Sequence, residues 1–235
     1  MKRWIGVLLV AFLLLSIVAC APETGEESSL PESSVEEDPE YPVTIAGVTL
    51  DKAPLRVVAL TPALAEAAFD LGYGDSLCGV TTACEALELE GVTDLGDQYA
   101  LLYDRLAALT PDLILAQTVP DALAAWATDA KVPVISLTAP VSGDSLRAFY
   151  EDVAMALGGR RSGKAASDLL YLALSGEMSL LAGKVPVEES SPRAVYLADA
   201  SGAVATGDTL WQWLFDALSV QNVAVGGKTG MSQRR

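Results

Sequence analysis

The sequence contains no histidine among its 235 residues. This absence excludes catalytic triads that use histidine as the base, and it excludes metal sites built from imidazole. Asp and Glu are abundant, 31 against 15 Lys and Arg, but beyond the N-terminal region they are scattered in a pattern typical of solvated helix faces. Because no nucleophile motif accompanies them, the sequence gives no support for an enzyme.

Cysteine is also scarce, with three residues in the whole chain. An extended segment between Cys78 and Cys84 would hold their Cα atoms too far apart for a disulfide unless the chain turns back. We expect both to be free or partly buried thiols, because unpaired cysteine packs as a small apolar side chain. A disulfide between them is the alternative.

The N-terminus has the pattern of an export signal. Lys2 and Arg3 precede an uncharged, largely apolar run over residues 4–19, and Cys20 follows it. The run is shorter than the ~20 apolar residues that a membrane-spanning helix needs, whereas a basic start and a short apolar stretch are typical of a cleaved signal. The sequence predicts a signal peptide over residues 1–19. An uncleaved membrane anchor is the alternative.

An acidic segment follows Cys20. Residues 21–41 carry eight Asp and Glu side chains, with Ser and Pro between them and no Lys or Arg. This composition cannot bury enough apolar area to offset the entropy of ordering the chain. We therefore expect residues 20–42 to form an anchor point and a disordered tether. Cleavage of the signal would take the formal net charge from −16 to −18, which argues against binding to nucleic acid.

Beyond the tether, predicted strands alternate with predicted helices. Residues 41–50 indicate a hairpin, and residues 56–60 indicate a buried strand that leads into a helix over 62–71. Thr61 can cap that helix, and Pro62 suits its first position because a proline has no N–H to leave unsatisfied there. Strands at 77–80, 112–116 and 132–137 and helices at 101–109 and 121–130 follow. This alternation predicts βαβ units around a mostly parallel sheet.

The regular alternation of strands and helices ends after residue 140. Two helices are predicted at 145–157 and 162–182, and the second would be roughly 30 Å long, which suits a rigid strut. A strand at 193–197 and a helix at 209–219, capped by Asp208, come next. One strand and one helix cannot build a second sheet with both faces covered. We expect an N-terminal lobe over residues 43–142, a helical strut over 143–184 and a partial C-terminal lobe over 185–235.

Three motifs, taken in order, resemble the substrate-binding proteins of ABC importers for iron siderophores and vitamin B12. They are RVVALTPALAEAAFDLG at residues 56–72, GVTTAC at 79–84 and LAALTPDLILA at 106–116. The resemblance implies an α/β fold with two lobes of mostly parallel sheets, joined by a long rigid helix, with the second lobe incomplete here. It also implies a monomer that binds its ligand in the cleft between the lobes, with no catalysis and no cofactor.

The same resemblance implies where the protein is located and which proteins it contacts. Residues 17–20 (IVAC) resemble the bacterial lipobox, so Cys20 would carry lipid and hold the exported protein on the outer face of the cell membrane, or on its periplasmic face. In this family an acidic residue on each lobe docks onto arginines of the membrane permease, which works with an ATPase. Glu66 matches the first position and Asp216 the second.

Ligand contacts are expected from loops that follow the strands, since parallel sheets bind ligands at the carboxyl ends of their strands. These loops contain no Arg or Lys, which favours a neutral corrinoid or hydroxamate chelate over haem or a citrate-type siderophore. A stand-alone sensing or scavenging lipoprotein, and a non-functional truncated copy, are the alternative functions. The candidate ligand residues are Thr61, Pro62, Thr82, Gln98, Tyr99, Gln117 and Trp211.

Overall fold

The structure is a computed structural model that describes residues 39–185, 192–197, 203–225 and 231–233. These residues belong to one compact unit that starts at Pro39. The predicted signal peptide, Cys20 and most of the tether lie outside the described residues. Within the described ranges, no helix combines the length and the apolar character that crossing a membrane requires.

The first elements form the predicted hairpin, with β1 at Val43–Ile45 and β2 at Val48–Leu50 paired antiparallel. Ala46 and Gly47 make the turn with φ angles of 48° and 80°. A two-residue hairpin turn needs this left-handed backbone to match the twist of its strands. The inward-facing side chains of both strands are buried, so the hairpin contributes to the main core.

The four apolar runs predicted as strands, together with the short strand β5 that the sequence did not predict, form a five-stranded sheet in which every neighbouring pair is parallel. Its order is β5-β4-β3-β8-β9, and the strands β6 and β7 form a separate antiparallel hairpin. The bounds are β3 Val57–Ala59, β4 Leu77–Val80, β5 Thr93–Asp94, β6 Gly96–Asp97, β7 Ala100–Leu101, β8 Leu113–Ala116 and β9 Val134–Ser136.

Side chains along the central strands alternate between two cores. Val57 and Ala59 of β3 pack into one core, and Val58 packs into the other. All three are fully buried, because helices cover both faces of the sheet, as parallel sheets require. The described residues contain six α-helices, which are α1 Pro62–Asp70, α2 Tyr103–Leu109, α3 Asp121–Ala130, α4 Gly143–Gly158, α5 Arg160–Ala182 and α6 Leu210–Ala217.

The predicted helices are confirmed with small shifts at their ends. Thr61 occupies the N-cap position of α1 and Pro62 its first turn, but the Thr61 side chain makes no capping hydrogen bond. The predicted cap of α6 is wrong: the cap residue is Thr209, and Asp208 instead accepts a hydrogen bond from the Thr206 hydroxyl at 2.5 Å.

The second half contributes two separate two-stranded ladders within the described residues. The strand β10 (Arg193–Ala194) pairs parallel with β12 (Gln221–Asn222), and β11 (Ala203–Ala205) pairs antiparallel with β13 (Met231–Gln233). The strand predicted over 193–197 is thus shorter, and only a single bridge from Leu197 continues it.

Two glycines shape the junction between α4 and α5. Gly159 separates the two helices with a φ of 86°, so the predicted break at this point is confirmed. Gly163 lies one turn into α5, where a side chain would overlap the carbonyl of Ala154 in α4. The absence of a Cβ at Gly163 therefore lets the two helices approach closely.

Glu40 closes this junction, and its contacts correct the predicted end of the tether. One carboxylate oxygen accepts hydrogen bonds from the backbone N–H groups of Arg161 at 2.8 Å and Ser162 at 3.2 Å, and the other accepts from the Ser162 hydroxyl at 2.6 Å. The Ser162 hydroxyl and the Arg161 amide hold the pKa of Glu40 below its usual range. The tether does not extend to residue 42, because Glu40 already caps α5. We call this contact the Glu40 clasp.

Replacing Glu40 with Gln should lower the thermal midpoint at neutral pH. A carboxyl group whose pKa is lowered by folding contributes stability above its unfolded pKa, and that contribution is lost as the pH falls through the lower folded pKa. The difference between Glu40→Gln and the unchanged protein should therefore shrink below about pH 4.5. Circular dichroism melts at several pH values measure it, with Glu177→Gln on the exposed face of α5 as the control. A difference that persists unchanged to pH 2 would contradict the clasp.

Two tyrosines against α4 give a second test. Burial, with the nearby Tyr73 and Glu40, raises the pKa of Tyr41 to about 12, and its hydroxyl donates to the Ala156 carbonyl at 3.1 Å. Burial, with Asp70 and Glu66, raises the pKa of Tyr150 to about 12. Because the unfolded chain ionises its tyrosines near pH 10, stability should be lost as the pH rises from about 10 to 12.

An ultraviolet titration should show two of the seven tyrosines ionising near pH 12. Tyr150→Phe should remove one of these late transitions and flatten the alkaline loss of stability. Tyr99→Phe, at an exposed position, is the control and should leave both late transitions in place. A Tyr150→Phe titration with both late transitions still present would refute the assignment.

Candidate functional site

Three of the predicted ligand residues lie at one edge of the parallel sheet. Thr61 comes two residues after β3, Thr82 two residues after β4 and Gln117 directly after β8. These strands are neighbours in the order β4-β3-β8. Since the carboxyl ends of parallel strands meet at the same edge, the fold brings these positions together as the sequence predicted.

The hydroxyls of Thr61 and Thr81 differ in their hydrogen bonding at this edge. The Thr81 hydroxyl donates to the Leu60 carbonyl at 3.1 Å and so ties the end of β4 to the end of β3. The Thr61 hydroxyl oxygen is buried and has no hydrogen-bond partner among the described residues. A buried polar group without a partner costs about 1–3 kcal/mol. Thr61 is therefore the residue at this edge that would gain most from a polar group supplied by a ligand.

A cavity of 390 Å³ opens beside Thr82, at the ends of β4 and β5. The Thr82 hydroxyl donates to the carboxylate of Asp94 at 3.0 Å, and the same carboxylate oxygen accepts the backbone N–H of Gly96 at 2.9 Å. Cys84 forms part of the wall, and burial raises the pKa of its thiol. The thiol is therefore neutral at pH 7, and it lies in a wall that also contains the carboxylates of Glu85, Glu88 and Asp94 and the hydroxyls of Thr81 and Thr82.

Gln98 and Tyr99 occupy the turn of the hairpin formed by β6 and β7, just beyond β5. The Asp97 carboxylate accepts the backbone N–H of Tyr99 at 2.8 Å and so stabilises the turn. The Tyr99 side chain is 67% exposed, which leaves its ring uncovered. A flat ligand at this edge would find an aromatic surface there.

Trp211, the seventh candidate, lies on α6 and outside this edge. Its ring stacks on Tyr196 with the centroids 3.6 Å apart and the planes 18° apart. One face of the indole is therefore already covered. Pro62, the remaining candidate, is the half-buried first residue of α1.

Glu66 lies on the exposed face of α1, as the helical spacing predicted. Asp70 follows one turn later on the same face, and the Tyr150 hydroxyl donates to its carboxylate at 3.4 Å. Neither carboxylate forms an ion pair with any Lys or Arg of the described chain. Two like charges one turn apart repel, so this face favours a cationic neighbour.

Asp216 is exposed near the end of α6, and its carboxylate is held by a short chain of amides. Gln212 donates to Asp216 at 2.7 Å, and buried Asn222 donates to the Gln212 carbonyl oxygen at 3.0 Å. Because Asn222 takes up the Gln212 oxygen, the Gln212 nitrogen must face Asp216. The second predicted docking carboxylate thus has a defined orientation.

Two residues at the sheet edge were missed by the sequence reasoning. Asp94 is the last residue of β5, a two-residue strand that the sequence did not predict, so no signal in the sequence singled it out. Arg105 gave no signal either, because it lies within α2, yet its guanidinium donates to the Asp94 carbonyl at 3.0 Å. The expectation that Arg and Lys are absent from the loops themselves holds, but the fold brings Arg105 close to one of them.

The Cys, Asp and Glu side chains of the described residues do not form a metal site. Cys78 and Cys84 are both unpaired, as expected. Among the residues described, no group of three or more Cys, Asp and Glu side chains is arranged to hold a metal ion. The edge therefore offers hydroxyls, amides, one aromatic ring and a nearby guanidinium for binding a preformed ligand.

Comparison with known proteins agrees with this fold. The chain is 32% identical over 119 residues to the uncharacterized ABC transporter substrate-binding lipoprotein YvrC of Bacillus subtilis, covering 48% of this chain and 36% of that protein. It is 25% identical over 235 residues to a cobalamin-binding protein of Halobacterium salinarum, covering 96% of this chain and 62% of that protein. The chain thus spans between about one third and two thirds of the length of these relatives.

Among solved structures, the periplasmic heme-binding protein BhuT in complex with two hemes is similar, with a TM-score of 0.65 and 25% identity. The match covers 78% of this chain and 72% of that one. The model of the periplasmic binding protein family matches residues 57–234, which include the parallel sheet, the site edge and both long helices. This chain belongs to the periplasmic binding protein family.

Proposed function

We propose that this protein is the substrate-binding lipoprotein of an ABC importer, and that it captures a metal chelate and delivers it to the membrane permease. The observation that carries the proposal is the unpartnered, buried Thr61 hydroxyl at the carboxyl edge of the sheet. Around it stand the other candidate groups of the first lobe, in the family whose members bind solutes for transport.

The side chains at the edge favour a corrinoid or a ferric hydroxamate as the ligand. Hydroxyl and amide groups at Thr61, Thr82 and Gln117 suit a ligand rich in amides and carbonyls, and Tyr99 suits a flat ring. One relative is described as cobalamin-binding, and a structural neighbour as heme-binding. Haem carries two carboxylates that require cations, and Arg105 is the only cation found near this edge in the described residues.

Delivery to the permease is assigned to Glu66 and Asp216. Both are exposed carboxylates, and neither is neutralised by an ion pair within the described ranges. Arginine side chains of a permease would supply the missing positive charge, and they match carboxylates in a two-point geometry. An ATPase would complete the importer.

Export and anchoring complete the proposal. A signal over residues 1–19 would be removed, and lipid on Cys20 would hold a monomeric protein at the outer face of the cell membrane or its periplasmic side. The folded unit begins at Pro39, so the segment between Cys20 and Pro39 would act as a leash. The acidic leash would keep the binding unit near its permease.

Thr61→Val tests the ligand site by two opposite effects. If the Thr61 hydroxyl is satisfied by the ligand, its removal should raise the thermal midpoint of the free protein, since a buried unpartnered oxygen is lost. The same change should weaken ligand binding by about five- to tenfold, the value of one hydrogen bond. Absorbance titrations with cyanocobalamin and with a ferric hydroxamate measure the affinity.

Thr81→Val is the matched control for Thr61→Val. The Thr81 hydroxyl is satisfied by the Leu60 carbonyl, so its loss should lower the thermal midpoint. Binding of neither chelate, or a Thr61→Val protein with full affinity, would refute this ligand site. Tight binding of haem alone would overturn the preference for a neutral chelate.

Glu66→Gln and Asp216→Asn should reduce uptake and leave ligand affinity unchanged. Removing one partner of a desolvated charge pair at an interface costs about 2–5 kcal/mol, so uptake in cells should fall at least about tenfold. Uptake of labelled ligand and the affinity of the purified variants are measured in parallel. Asp75→Asn, at an acid outside both sites, is the control. Unchanged uptake in both variants would favour a stand-alone sensing or scavenging lipoprotein.

A further inference from the structure

A second cavity has a volume of 680 Å³. Its walls come from the end of β2 and the connection to β3, from α3 and from the chain that leads into β9, with Asp112 before β8 and Val119 after it. None of the candidate ligand or docking residues lines it. Its volume is within the range of about 300–1,000 Å³ typical of small-molecule sites. This cavity is therefore separate from the site proposed for the chelate.

The body of the cavity is apolar. The connection after β2 contributes Leu50 and Pro54, and the chain around β9 contributes Val132 and Val134. Leu50 and Pro54 are buried, and both valines are half-buried. Short side chains of α3, including Ala124 and Ala127, leave the space open. A ligand here would meet hydrocarbon over most of its surface, so its own body must be apolar.

The polar part of the lining contains two cations, Lys52 and Lys131. Neither forms an ion pair with a carboxylate of the described chain, although the protein has a net charge of −16. The backbone of Lys131 is held at the end of α3 with a φ of 57°, and its N–H is directed to the Ala127 and Thr128 carbonyls. One of the two ammonium groups thus extends from a defined point of the wall.

The carboxylates in the same lining do not neutralise these lysines. Asp112 accepts the backbone N–H groups of Leu55 and Arg56, both at 2.9 Å, and so serves to fix the start of β3. Asp51 is exposed, and its carboxylate forms no ion pair with either lysine in the described chain. The cavity therefore combines an apolar body with positive charge that the protein itself leaves unpaired.

We propose that this cavity binds a small amphiphilic carboxylate, with its hydrocarbon against α3 and β9 and its carboxylate held by Lys52 and Lys131. The apolar walls supply most of the affinity, and the lysines select an anion over a neutral molecule of the same size. The site is independent of the chelate site, because the two share no lining residue.

The test is an amide-resolved nuclear magnetic resonance titration of the purified protein with octanoate, run in parallel with octanamide. Octanoate should shift the amides of residues 124–134, and octanamide should bind more weakly by about fivefold, as expected for two partly exposed charge pairs. The double variant Lys52→Gln, Lys131→Gln should lose this preference for the anion. Lys184→Gln, outside the cavity, should retain it.

A second variant tests the cavity without changing any charge. Ala124→Leu places a larger side chain on an exposed position of α3 at the cavity wall, so it should weaken both probes without unfolding the protein. Melting curves confirm that each variant is folded. Equal affinity for octanoate and octanamide would overturn the role of the lysines, and the absence of shifts at residues 124–134 would overturn the site itself.

Discussion

The rest of the structure depends on the burial of the parallel sheet on both faces. The residues of β3 and β8 are fully buried, so no polar side chain can leave the sheet except where a strand ends. All hydroxyl and amide groups of the first-lobe site, from Thr61 to Gln117, stand at those ends. The same burial leaves Thr61 without a partner, since its hydroxyl is enclosed where no backbone acceptor is left over.

The helix pair α4 and α5 imposes a second constraint. Its close approach requires glycine at Gly163, and its junction is closed by a residue from the start of the folded unit, Glu40. The first residues of the folded unit are therefore fixed to the start of the long helix α5.

Much of the first lobe was predictable from the sequence, because apolar periodicity determines which face of each element is buried. The alternation of strands and helices predicted the parallel sheet, and the spacing around Glu66 predicted its exposure. The hydrogen bonds at the starts of α1 and α6 were not predictable, because the backbone conformation and the packing decide whether the Thr61 hydroxyl meets an acceptor and which group Asp208 contacts. The end of the tether was misplaced for a similar reason, since the partners of Glu40 lie 121 and 122 positions away.

The sequence by itself determined the absence of histidine chemistry, the order of elements and the family motifs, since these depend on composition and local pattern. Only the tertiary structure decided that Arg105 reaches the Asp94 carbonyl, that Asn222 and Gln212 orient Asp216, and that Lys52 and Lys131 line one cavity. Each of these groupings joins residues from separate elements. Their proximity follows from how helices pack on the sheet, and the local sequence pattern does not determine that packing.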